Sequence, residues 1–167
     1  MRIITTDEAK QWCSAHGFAI DRPECDDPRI GNGLHYSTIG KQPIAAAFIR
    51  SAINCRPFDG GLVWVLDWPF YEKDEMAVVT RVRASVGDSR WLVHAPAHVF
   101  DPDERPDCIG LFNLCSQFRW DALLYVPASK FLAFASHHEI QHISSLMQAD
   151  PNQLAIDIQD YKLNVVG

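Results

Sequence analysis

Ala122-Leu123-Leu124-Tyr125-Val126 and Phe131-Leu132-Ala133-Phe134-Ala135 are two apolar runs separated by Pro127-Ala128-Ser129-Lys130. Runs of this length, bounded by turn-forming residues, read as two strands of a β-hairpin. Two strands joined so closely must run antiparallel, which sets the character of the sheet they belong to. Upstream, Leu62-Val63-Trp64-Val65-Leu66 follows the breaker Asp59-Gly60-Gly61 and is a continuous β-favouring run, as expected of a central strand.

Helical periodicity surrounds these strands. Thr5 and Glu8 have capping-box spacing, and Ala9, Trp12, Cys13 and His16 recur at helical intervals until Gly17 ends the helix. From Pro43 to Asn54, Ile44, Ala47, Phe48 and Ile53 favour one face, with Pro43 tolerated in the first turn. Between Glu72 and Val86, the residues Met76, Val79, Val82 and Val86 form a stripe, and Gly87 follows as a terminator. A fourth helix, Asp107 to Phe118, turns Ile109, Leu111, Phe112, Leu114, Cys115 and Phe118 inward. Leu34, Tyr36 and Thr38 predict a short strand, as do Trp91-Leu92-Val93, whereas residues 21–33, 94–98 and 101–106 read as loops. Helices and strands intermix without repeating βαβ units, so the expected fold is α+β: a single domain over 1–167, with a mixed or largely antiparallel sheet and about four helices packed on it.

Composition agrees with an ordinary globular chain, 47% hydrophobic and 22% charged over 167 residues. Fifteen Lys+Arg against 21 Asp+Glu give a net charge of −6, which opposes a phosphate backbone and argues against general nucleic-acid binding. The same acidity suits a basic protein partner, and toxin domains that cut nucleic acids are one such class. Met1-Arg2-Ile3-Ile4-Thr5-Thr6-Asp7-Glu8 lacks the apolar run of a secretory signal, and no stretch is long enough to span a membrane, so the expected location is cytoplasmic. Cys13, Cys25, Cys55, Cys108 and Cys115 include no Cys-x-x-Cys pair and read as free thiols.

His138-Glu139-Ile140-Gln141-His142 matches the pattern of zinc hydrolases. There two histidines one helical turn apart hold the metal, and the glutamate serves as general base to a bound water. Ser136 and Glu139 have capping-box spacing, and Ile140, Ile143 and Met147 share a helical face, as that reading needs. A third ligand is missing downstream, where only Asp150, Asp157 and Asp160 remain. The competing reading makes Ser136-His137-His138 a turn and Ile140-Gln141-His142-Ile143 a return strand. His138 and His142 would then stand roughly 13 Å apart, too far for one ion. His94 and His98 flank Pro96, which prevents a regular helix, so they read as loop histidines. Arg81, Arg83, Arg90 and Lys73 read as a solvated face, and Gly31-Asn32-Gly33 as a turn.

Trp64-Val65-Leu66-Asp67-Trp68, Arg81 to Gly87, His94 to Phe100, Trp120-Asp121-Ala122 and Ser136-His137-His138-Glu139 together resemble a group of small bacterial proteins without an assigned activity. The resemblance covers about residues 60–142 and implies a related fold, with the segment at Ser136-His137-His138-Glu139 following a strand and opening a turn. A wider analogy links small acidic bacterial proteins to toxin-neutralising immunity proteins. The expected function is therefore a non-enzymatic protein-binding module for a basic partner. Asp101, Asp103, Glu104 and Asp107, and the turn carrying Asp67, Trp68 and Tyr71, are its candidate contacts. The alternatives are a zinc-dependent hydrolase using His138, His142 and Glu139, and an enzyme with Cys55 or Cys115 as nucleophile.

Overall fold

In the computed structural model, residues 1–20, 34–67, 73–138, 140–145 and 161–165 are described. The elements in chain order are β1 (Arg2–Ile4), α1 (Thr6–Ala15), β2 (Leu34–Ser37), α2 (Gln42–Asn54), β3 (Gly61–Asp67), α3 (Lys73–Ser85), β4 (Ala97–Phe100), α4 (Arg105–Gln117), β5 (Asp121–Val126), β6 (Phe131–Ser136), β7 (Ile140–Ser145) and β8 (Asn164–Val165). Among the described residues the strands form one eight-stranded sheet in the order β1-β4-β3-β5-β6-β7-β2-β8, and every pairing is antiparallel. The fold is α+β, as the hairpin at 122–135 requires.

Between their polar ends the central strands are an unbroken apolar run because both faces of the sheet are covered. Leu62 and Trp64 of β3, Leu123 and Tyr125 of β5, and Leu132 and Phe134 of β6 pack with Ala9 and Cys13 of α1 and with Phe18 and Ile20 beyond it. The alternate residues Val63, Val65, Leu124, Val126, Phe131 and Ala133 pack with Phe48, Ile49 and Ile53 of α2, Val79 of α3, and Ile109 and Phe112 of α4. An antiparallel sheet with one wet face alternates apolar and polar residues; one covered twice reads as an unbroken apolar run. Each of these large side chains, buried, contributes roughly 1.5–3 kcal/mol.

Local signals set the helix ends. The capping box at Thr5 is closed by Glu8 N donating to Thr5 Oγ1 at 3.3 Å and Thr5 N donating to Glu8 Oε2 at 2.7 Å. α2 starts with a proline in its first turn, where the missing N–H costs nothing. The hairpin turn is a 3-10 turn at Pro127–Ser129 closed by Lys130 in the left-handed region.

Four expectations are corrected. Trp91-Leu92-Val93 is a turn rather than a strand, with Trp91 72% and Val93 62% exposed around a buried Leu92. His98 belongs to the buried strand β4 and not to a loop, because Leu62 to Trp64 need a neighbour and Ala97–Phe100 supply it. α3 turns Val79 and Arg83 inward, while Val82 and Val86 are exposed, so the apolar stripe is out of phase with the buried face and Arg83 is not solvated. β1 and β8, three and two residues long, carry too little sequence to show a period. No described helix is long and apolar enough to cross a membrane.

The entry to β3 is tight. Gly60 has φ +131°, and a Cβ there would lie 2.8 Å from the carbonyl oxygen of Phe100. We expect Gly60→Ala to lower unfolding stability by about 2 kcal/mol in urea titration, because strain and clash add where neither backbone can yield.

Candidate functional site

At one end of the sheet β3 finishes, β5 begins and β6 finishes, so Asp67, Asp121 and Ser136 arrive together. Asp67 stands opposite Asp121 across a register shift, and Ala122 opposite Ala135 brings the start of β5 beside the end of β6. His137 follows directly. Its backbone N–H donates to Asp121 Oδ1 at 2.6 Å, and its ring Nδ1 lies 2.9 Å from the same oxygen. One carboxylate oxygen therefore holds both the backbone and the imidazole of His137.

That contact fixes the ring chemistry. A carboxylate at Nδ1 selects the Nδ1–H tautomer and leaves the Nε2 lone pair as proton acceptor or metal donor. The His137 side chain is about one quarter exposed. The His138 ring lies against it at 3.9 Å between centroids, tilted by 46°, and His138 N donates to Ser136 Oγ at 3.2 Å. The arrangement is an oriented imidazole at a sheet end, of the kind that serves as general base, metal ligand or hydrogen-bonding contact.

The zinc-type pattern has a different shape from the one its spacing suggests. His138 lies in an exposed turn and His142 lies on β7, opposite Phe134 on one side and His35 on the other. Ile140–Ser145 is a strand, so the helical turn that would bring His138 and His142 onto one ion does not form; this is the return-strand reading. Glu139, Trp68 and Tyr71 lie outside the described residues. Among the described residues no group of three His, Cys, Asp or Glu side chains is placed to hold a metal ion.

The proposed carboxylate contacts divide between the two ends of the sheet. Asp67 closes β3 beside Asp121, whereas Asp101, Asp103, Glu104 and Asp107 follow β4 at the end where β3 begins. β3 has seven residues, which puts the two groups about 20 Å apart. Asp101, Asp103 and Asp107 are exposed. Glu104 is not a free contact: Oε2 accepts from Asp101 N at 2.9 Å and Oε1 pairs with the Met1 amino group, and these bonds hold its carboxyl below the usual range. Asp59 belongs to the same end, where Oδ1 accepts from Ala128 N at 3.1 Å in the β5–β6 turn.

The described thiols separate by burial, Cys25 lying outside the described residues. Cys13, Cys108 and Cys115 are buried and Cys55 is exposed. Burial raises Cys13 and Cys115 to about 12 and pushes Cys108 up as well. Cys115 is thus kept as an inert thiol on the inner face of α4, which removes it as a nucleophile.

Asp121 and His137 were not singled out by residue type, yet the hairpin contains the signal. Pairing the two apolar runs about the 127–130 turn places Asp121 opposite Ser136, next to His137. Compared with known proteins, the chain matches no family model, no curated protein and no solved structure.

Two outcomes follow from this geometry. Long-range ¹H–¹⁵N spectra of the histidine rings should show His137 as the Nδ1–H tautomer at pH 8, and Asp121→Ala should return it to the commoner Nε2–H form. Alkylation by iodoacetamide at pH 8 should modify Cys55 and spare Cys13, Cys108 and Cys115 until the protein is unfolded, as read by peptide mass spectrometry.

Proposed function

We propose that the protein is a non-enzymatic binding module that takes a basic protein partner, such as a toxin domain, on the end of the sheet that carries Asp59, Asp101, Asp103 and Asp107. The observation that carries this reading is the rigid presentation of exposed carboxylates by the segment between β4 and α4. Pro102–Glu104 is a 3-10 turn that runs directly into α4, and the Asp101–Glu104 capping box fixes its entry. Asp103 and Asp107 are exposed on this frame. Arg105, between them, sits over the Phe58 ring, 5.1 Å from its centroid.

Carboxylates anchored on a stiff element lose little entropy on binding and contribute most to the rate and selectivity of encounter with a cationic surface. The net charge of −6 works in the same direction at longer range and opposes nucleic acid. An immunity-type role in the cytoplasm, against a toxin whose own substrate is a polyanion, fits this chemistry. Glu104 drops out of the contact set because it is spent on the cap, and Asp67 lies at the far end.

The test is crosslinked capture from cells of the native host, comparing the wild type with Asp101→Asn/Asp103→Lys/Asp107→Lys. The expected result is a basic protein held by the wild type and released as salt rises from ~0.1 to ~0.5 M, where surface charges are screened. The triple variant should hold it about tenfold less well. Capture of the same partner by both proteins, or a partner that is acidic, would overturn the proposal.

A further inference from the structure

The contact between α3 and the sheet contains, beside Val79 and Met76, two buried polar side chains that are only partly paired. Arg83, 2% exposed, donates from Nη1 to the carbonyl oxygen of Ala95 at 2.7 Å, but its Nε and Nη2 make no hydrogen bond. The nearest carboxylate, Asp88, is 4.0 Å from Nη2. His98 of β4 is fully buried, and among the described residues neither ring nitrogen has a well-formed hydrogen bond, the Val63 backbone being the one polar partner beside it. A buried cation and a buried imidazole in one seam both weaken it, since the protein groups around them pair neither one fully.

The apolar residues that would normally hold a helix down are spent elsewhere. Val78, Val82 and Val86 are each about two-fifths exposed, and Trp91 and Val93 in the following turn more so, leaving Met76 and Val79 as the apolar inner contacts of α3. The helix and the loop after it are tied to each other by hydrogen bonds. Arg83 reaches Ala95, Asp88 N donates to the Arg83 carbonyl at 3.1 Å, and Arg90 Nε donates to Asp88 Oδ2 at 2.9 Å. Leu92 is buried against the core, and Arg90 Nη2 donates to the Ile3 carbonyl of edge strand β1 at 2.6 Å, clipping the loop to the sheet. Immediately beyond Ala95 the chain is part of the sheet, with Pro96 O accepting from Val65 N at 3.1 Å.

We propose that α3 and the loop to Ala95 form a flap that opens from the sheet as one unit when His98 takes up a proton. Below the flap His98 would be a second cation in a sealed seam beside Arg83; once the flap opens, water solvates both. Among the described residues, the groups facing His98 are Arg83 from α3 and Asp88 from the loop, with Ile3 of β1 and Val63 of β3 at its register positions. Asp88 stays ionised through the relevant range, because its bonds to Arg90 hold its carboxyl below the usual value.

The sign follows from linkage. Burial first, and the Arg83 cation second, push His98 down from 6.5 to about 4, against which the nearby Val63 backbone and Asp88 act weakly. A group depressed in the closed state and ordinary in the open state favours closure above pH 6.5, and loses that preference as pH falls toward 4. Between pH 8 and pH 5 the opening equilibrium of the flap should therefore rise about 30-fold.

Hydrogen exchange of the full chain at pH 8 and pH 5, corrected for intrinsic rates and repeated in low urea, reads this directly. Peptides covering 76–95 should exchange through an opening about 100-fold more frequent than that of β5 and β6, insensitive to low urea, and rising about 30-fold at pH 5. His98→Phe should abolish the rise, and Arg83→Met should reduce it. The inference fails if residues 76–95 open only with β5 and β6, if their opening does not change with pH, or if the rise survives in His98→Phe. Should His98→Phe fail to fold, the wild-type urea and pH series with Arg83→Met still decides between these outcomes.

Discussion

Burial of β3, β5 and β6 on both faces is the constraint on which the other features depend. A strand covered by helices above and below has no water for its backbone, so its N–H and C=O groups must pair within the sheet. Neighbours are therefore required on both sides of each central strand: β4 and β5 flank β3, and β3 and β6 flank β5. The requirement draws in Ala97–Phe100, although Pro96 just before it and the flanking His94 and His98 argue for a loop when read alone. It also fixes register, since a one-residue slip would exchange Leu124 and Val63 for Leu123 and Leu62 on each face.

Register then places the polar ends. Asp121 and His137 are sixteen residues apart in sequence and meet because the hairpin between them pairs in one way. The oriented imidazole is a product of strand pairing and needs no helix. That is why the spacing of His138 and His142 misleads: four residues describe one helical turn only where a helix exists. Here the chain reverses after Ser136 and runs back as β7. The acidic segment 101–107 is positioned by the same logic at the opposite end, since β4 must finish where β3 starts.

The hairpin, the central strand at 62–66 and the four described helices were legible because each carries its own signal over enough residues: a long apolar run, a capping box, or a helical stripe. What could not be read depends on distant partners. β1 is three residues whose only argument for being a strand is β4, and β4 in turn is called for by β3. In the site, Asp101, Asp103 and Asp107 were visible as exposed charge, but the diversion of Glu104 to a cap, and the separation of Asp67 from that group, follow from three-dimensional placement alone.

α3 shows how periodicity can be right in period and wrong in phase. At 100° per residue, Val82 lies only about 60° around the helix from Val79, so a modest rotation decides whether the valine row or Arg83 faces the sheet. Apolar burial alone favours the valines. The observed phase instead turns Arg83 inward, where its Nη1 finds the Ala95 carbonyl and its Nη2 comes only to 4.0 Å from Asp88. A rule that scores hydrophobicity residue by residue cannot anticipate that choice, because the partner of Arg83 is a backbone oxygen on a loop whose position is itself set by β4. Among the described residues, the same arrangement leaves Val78, Val82, Val86, Trp91 and Val93 exposed on one helix and the turn after it, while the one long cationic side chain of that helix's inner face is buried.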